Sequence, residues 1–139
     1  LKTNALISLA IVQWQDGEKN ETELLTRANV IKQDKTDIIS YEDTEATGFE
    51  GSVTTIQVEG SRCATITRKG TANSSLYLEM GKKNFCQYET PYGSMQIGVL
   101  ARELRNTISK DGKLYMKYTL DLNSSYLSDN EIIMTVKND

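Results

Sequence analysis

At 139 residues the chain has the size of one domain, residues 1–139, and is long enough to bury roughly two-thirds of its unfolded surface. Charged residues make up 25% and hydrophobic ones 38%, and the net charge is −3 with both signs interspersed. That balance excludes a nucleic-acid groove, which needs clustered Lys and Arg. Histidine is absent, which removes Ser-His-Asp and Cys-His catalysis, imidazole acid–base chemistry and most zinc sites.

Period-two alternation runs from end to end. A first strand is expected from Ala5 to Trp14, with Leu6, Ala10, Val12 and Trp14 on one face and Ala5, Ile7, Leu9 and Ile11 on the other. Both faces are apolar, so cover on both sides is expected. The run Leu6 to Val12 is too short to span a bilayer and lacks a small-x-small cleavage site, so neither a membrane partner nor export is expected. With no export signal, the N-x-S/T matches at Asn20, Asn73 and Asn123 read as chance and the setting as cytoplasmic.

After the polar break Asp16 to Asn20, residues Glu21 to Lys32 fit a strand or a short amphipathic helix. Thr26, Val30 and Ile31 favour the strand. Further strands follow at Asp37 to Thr44, Ser52 to Glu59, Arg62 to Lys69, Ser75 to Met80 and Phe85 to Thr90. Thr90-Pro91-Tyr92-Gly93 reads as a β-turn, setting Tyr88 on one arm of a hairpin against Met95 and Ile97 on the other. Met95 to Ala101 is a strand, and Glu103 to Lys110 a connection of undefined form. Lys113 to Leu122 alternates most cleanly, with Leu114, Met116, Tyr118, Leu120 and Leu122 on one side. Asn123 to Asn130 reads as a polar loop before a closing strand at Ile132 to Val136. The result is an all-β class: a single antiparallel up-and-down β-barrel of about 8–10 strands. Closure would also remove exposed strand edges.

Polar residues on apolar faces mark the candidate site. Arg68 shares a face with Ala64 and Ile66, and an interior guanidinium needs a partner. Glu42 and the hydroxyls of Tyr88 and Tyr118 are the partners expected. Arg68, Glu42, Tyr88 and Tyr118 therefore form the candidate ligand-binding cluster, either meeting the head group of a small ligand or plugging the barrel as a structural network. Cys63 and Cys86 read as thiols rather than a disulfide. No metal constellation or phosphate-cradling glycine loop is visible, so no metal, no cofactor and no catalytic residues are expected.

Several short motifs carry a resemblance: Ile66-Thr67-Arg68-Lys69-Gly70, Tyr88-Glu89-Thr90-Pro91-Tyr92-Gly93, Gly112-Lys113-Leu114 and Tyr118-Thr119-Leu120, with Tyr41-Glu42 and Val53-Thr54-Thr55-Ile56 before them. From about Tyr41 to Val136 the chain resembles the YwiB-like β-barrel proteins of Firmicutes, a family of unknown function with a calycin, or lipocalin-like, barrel. The resemblance implies that fold and a bacterial cytoplasmic setting, and no activity. Arg68, Gly70, Tyr88, Thr90, Gly93 and Tyr118 fall at the family's recurrent positions, whereas Glu89 falls where the pattern is loose. The functional expectation is non-enzymatic binding of a small, partly apolar, anionic ligand inside the barrel. The alternative is a plugged barrel acting through its outer face, with exposed Tyr77 and Tyr115, as an interaction module or homodimer.

Overall fold

The computed structural model describes residues 2–71, 73–90 and 93–138, except the side chains of residues 2, 87–90 and 138. The ten strands are β1 (Lys2–Gln15), β2 (Glu18–Gln33), β3 (Thr36–Glu42), β4 (Ser52–Glu59), β5 (Cys63–Gly70), β6 (Ser74–Glu79), β7 (Lys83–Thr90), β8 (Gly93–Thr107), β9 (Lys113–Leu122) and β10 (Ser125–Asn138). All pairings are antiparallel, in the order β6-β5-β4-β3-β2-β1-β10-β9-β8-β7. Consecutive strands are neighbours except β6 and β7, and the first and last strands pair from Ala5↔Asn138 to Trp14↔Asp129. The barrel therefore closes through its terminal strands. Its seam lies mid-chain, where β6 and β7 approach without a shared ladder.

Three expectations need correction or sharpening. Residues Glu21 to Lys32 are strand throughout, because Asp16 (φ 53) and Gly17 (φ 77) form a tight two-residue turn and β2 pairs with β1 along its length. Glu103 to Lys110 is not a free connection. A bulge between Ala101 and Glu103 absorbs one residue, β8 continues to Thr107, and a single helical turn, Ile108–Asp111, completes the link. Asn123 to Asn130 is not a loop either. Asn123 and Ser124 (φ 47 and 74) make the turn, and β10 starts at Ser125. Its early residues are polar because Ser128 and Asn130 face a polar stretch of interior, while Asp129 accepts a hydrogen bond from Thr119 on the outer face at 2.6 Å.

The outer face of β1 is not covered by a second layer. Ser8 is exposed, Leu6 and Ala10 are half-buried and Val12 is buried, while Trp14 lies under the Lys19 ammonium at 5.8 Å. The inner face carries Ala5, Ile7 and Leu9, all buried. Both cysteines are free thiols, and burial raises the pKa of Cys86.

Strand alternation gives the barrel two ends with different fates. At the end holding the β2–β3, β4–β5, β6–β7 and β8–β9 connections, Val58, Leu78, Leu104, Leu114, Met116 and Met134 are buried and fill the interior. A polar brace crosses there: the Asn106 amide donates to Asp37 Oδ2 at 3.0 Å and to the Gly60 carbonyl at 3.1 Å. At the opposite end the interior stays open. Among the described residues, no helix is long and apolar enough to cross a membrane.

Candidate functional site

The open end is a cavity of about 640 Å³, within the usual range for small-molecule sites. Ile11, Ile56, Ile66, Ile97, Leu120 and Ile132 form its apolar belt. Two polar rows interrupt the belt, each running along the ladders as directly opposed residues. The first is Tyr41↔Thr54↔Arg68↔Ser74, across β3 to β6. The second is Tyr118↔Asn130↔Gln13↔Asn20, across β9, β10, β1 and β2.

Arg68 is at the heart of the first row, its side chain 15% exposed. Its partner is Asp43, the residue immediately after β3, whose side chain is fully enclosed. Arg68 Nε donates to Thr54 Oγ1 at 3.1 Å and to Asp43 Oδ2 at 3.4 Å. Thr54 Oγ1 donates to the same carboxylate oxygen at 2.6 Å, and Thr47 Oγ1 donates to Oδ1 at 3.0 Å. The carboxylate is thus held by hydroxyls from two segments, as a buried charge requires. Phe49 packs its ring against the guanidinium, 3.8 Å from ring centroid to Cζ. The terminal nitrogens of Arg68 have no hydrogen-bond partner among the described residues.

The loop between β3 and β4 delivers Thr47 and Phe49. The Thr44 hydroxyl caps a 3-10 turn, Glu45–Thr47, accepting from Ala46 N at 3.2 Å, and Gly48 ends it at φ 81. Asp43 N donates to the Ser52 carbonyl at 2.8 Å, which brings the loop back onto β4. The β5–β6 connection is tied to the same rim: Thr71 Oγ1 lies 3.0 Å from Ser52 Oγ and donates to the Glu50 carbonyl at 2.7 Å.

Tyr118 reaches toward this pair from β9. Burial, against the favourable field of Arg68 and the unfavourable presence of Tyr41, raises its pKa to about 12. The Tyr41 hydroxyl is raised to about 12 by burial and by the Asp43 charge, with Arg68 and Thr54 opposing. Both phenols are therefore neutral donors at neutral pH, and Tyr118 has no hydrogen-bond partner among the described residues.

The sequence-derived cluster is brought together only in part. Arg68 and Tyr118 share the cavity wall. Glu42 does not: it is exposed on the outer face, in a shallow depression with Arg27, Asn29 and Val53. The physical reason is strand register. Inner positions on β3 are Asp37, Ile39 and Tyr41, which puts Asp43 inside and Glu42 outside. The backbone of Tyr88 opposes Met95, but its side chain lies outside the described residues, as do Pro91 and Tyr92 of the expected turn. Tyr77 is exposed as expected. Tyr115 is half-buried, its hydroxyl donating to Glu131 and its ring under Arg105 at 4.6 Å.

Asp43, Thr54 and Phe49 were not found by pattern. A usable signal existed for Asp43, which continues the Ile39–Tyr41 spacing of two. It was obscured because Ile38 and Ile39 are both apolar, so neither face of β3 stands out. Phe49 sits in a loop, where no periodicity points inward.

Comparison with known proteins agrees with this architecture. The crystal structure of the ywiB protein from Bacillus subtilis is similar, with a TM-score of 0.72, 15% identity, and coverage of 96% of this chain and 92% of that one. At that identity the likeness concerns the fold. None of the curated proteins compared matches the chain. Residues 7–134 match the model of a domain of unknown function, DUF1934, and the chain therefore belongs to the DUF1934 family.

Proposed function

We propose that this barrel binds a small, partly apolar carboxylate in its open half, without catalysing a reaction on it. The observation that carries the reading is Arg68. Among the described residues it spends only Nε, on Asp43 and Thr54, which leaves two terminal amino groups on the wall of a cavity whose belt is otherwise apolar. Those paired nitrogens match the two oxygens of a carboxylate, and the Tyr118 hydroxyl is a further donor nearby. Asp43 already offsets one charge, so a monoanion leaves the enclosed cluster one negative charge in excess. A phosphate dianion would leave two and is disfavoured. The carboxylate in reach, Asp43, is fixed by its three donors and serves as support rather than as a base.

Native mass spectrometry and thermal-shift measurements with acyl and aromatic carboxylates test this reading. Stabilisation by at least one carboxylate is expected, and its loss in Arg68→Met. The same shift in Arg68→Met would move the site elsewhere, and no shift with any acid would remove the reading. A second reading, a homodimer or interaction module working through the outer face, draws on Leu25 and Ile133, exposed by 69% and 43% on strands flanking β1. A monomeric mass in solution at high protein concentration would dispose of the dimer.

A further inference from the structure

We infer that the ligand is bipolar: a carboxylate whose far end bears a neutral hydrogen-bonding group, such as a hydroxyl or amide, seated on the row formed by Asn130, Gln13 and Asn20. The inference rests on the carboxylate reading of Arg68 and adds the chemistry of the opposite pole. In the strand order, β5 and β10 are five places apart in a ten-stranded barrel, so Arg68 and Asn130 stand on opposite walls. The apolar belt lies one step deeper: Ile66 and Ile56 sit two residues below Arg68 and Thr54, and Ile132 and Ile11 two below Asn130 and Gln13, so an apolar middle rests on it as the ligand crosses. A ligand filling the cavity from Arg68 therefore meets the amide row with its other end.

That row is uncharged. Asn130, Gln13, Asn20 and the adjacent Thr22 supply amides and a hydroxyl, and all four line the cavity. Asn130 is buried and donates from Nδ2 to Ser128 Oγ at 3.0 Å, leaving its carbonyl oxygen to accept. The Gln13 amide has no partner among the described residues. A plain alkyl tail laid over these groups would strip their water and return nothing, a penalty for each group left unsatisfied. A terminal hydroxyl or amide would restore the bond. A second carboxylate beside the buried Asn130 would find no cation in the row among the described residues, which is costly. Sites built to bond a hydroxyl discriminate against analogues lacking one far more strongly than apolar pockets discriminate by shape.

Isothermal titration of the intact protein tests this with a matched series, octanoate to dodecanoate, each with and without an ω-hydroxyl. We expect one chain length at which the ω-hydroxy acid binds at least about tenfold tighter than its plain counterpart. The double variant Gln13→Leu, Asn20→Leu, confined to the rim, should erase or reverse that preference. Arg68→Met should abolish binding of both acids. Binding that depends on Arg68 with equal or better affinity for the plain acids would overturn the bipolar ligand and leave the carboxylate reading standing. A preference that persists in the rim variant would also overturn it. If neither series binds the wild-type protein, both readings fall together.

Discussion

Asp43 and Glu42 are adjacent carboxylates with opposite environments, and their substitution should separate cleanly. Asp43→Ala removes the acceptor for Thr47, Thr54 and Arg68 and leaves a guanidinium largely enclosed without its counter-charge. Denaturant unfolding is expected to show a loss of about 3–5 kcal/mol. Glu42→Ala, on the solvent face, should change stability by no more than about 0.5 kcal/mol. Equal effects would mean that β3 is out of register. The tyrosines give a pH signature. A phenol whose folded pKa lies above its unfolded value contributes stability that is complete below the unfolded pKa, near 10. That contribution is lost as pH rises through the folded value, about 12 for Tyr41 and Tyr118. Each is worth about 2–3 kcal/mol, so stability should fall between those pH values, and less steeply in Tyr118→Phe. Unfolding curves at stepped alkaline pH, with tyrosinate absorbance followed in parallel, report it.

At the scale of single elements, the strands that alternate strictly were legible in the sequence. In β9 one apolar side faces one more polar side, and in β5 Arg68 follows Ala64 and Ile66 on the face that the structure buries. Elements with two apolar faces or with polar interiors were not. Ile38 and Ile39 make the orientation of β3 ambiguous, and the start of β10 is polar because it lines the open half of the barrel, where Ser128 and Asn130 bond to each other. The bulge in β8 is invisible to any period-two template, since it consists of one extra residue. Glycine placement was legible as turn chemistry, but Gly70 does more than turn the chain. Its φ is +137, and a Cβ there would lie 2.4 Å from the Gly51 carbonyl oxygen and 2.8 Å from Ser52 Cα. Gly70→Ala should therefore force β5 away from β4 beside Arg68. A loss of about 1–3 kcal/mol is expected from backbone strain, with weakened ligand binding. A stable variant with intact binding would show that the two backbones can separate freely.

For the whole molecule, an incompletely closed barrel distributes its stability unevenly. β1 pairs on both sides with long partners, whereas β6 and β7 each pair on one side only. Hydrogen exchange should be slowest in β1 and its neighbours. It should be fastest along the unpaired edges of β6 and β7, because those amides need no ladder to open. Uniform protection around the barrel would mean that the seam is bonded in solution. The same seam carries exposed Tyr77 and Phe85, with exposed Met80 in the turn between them, so aggregation by edge pairing should begin there when the protein is destabilised.

The closure through β1 and β10 has a kinetic consequence. Every other pairing joins strands consecutive in sequence, while this one links Ala5 to Asn138. Cutting the chain in the β6–β7 connection at Gly81 and joining β10 to β1 would yield a circular permutant whose order in sequence, β7 through β10 and then β1 through β6, equals its order in space. All its ladders would be local. Folding rate falls as contacts become more distant in sequence, so the permutant should refold faster than the unpermuted barrel. If stopped-flow refolding rates are equal, the meeting of the first and last strands is not what limits assembly of this barrel.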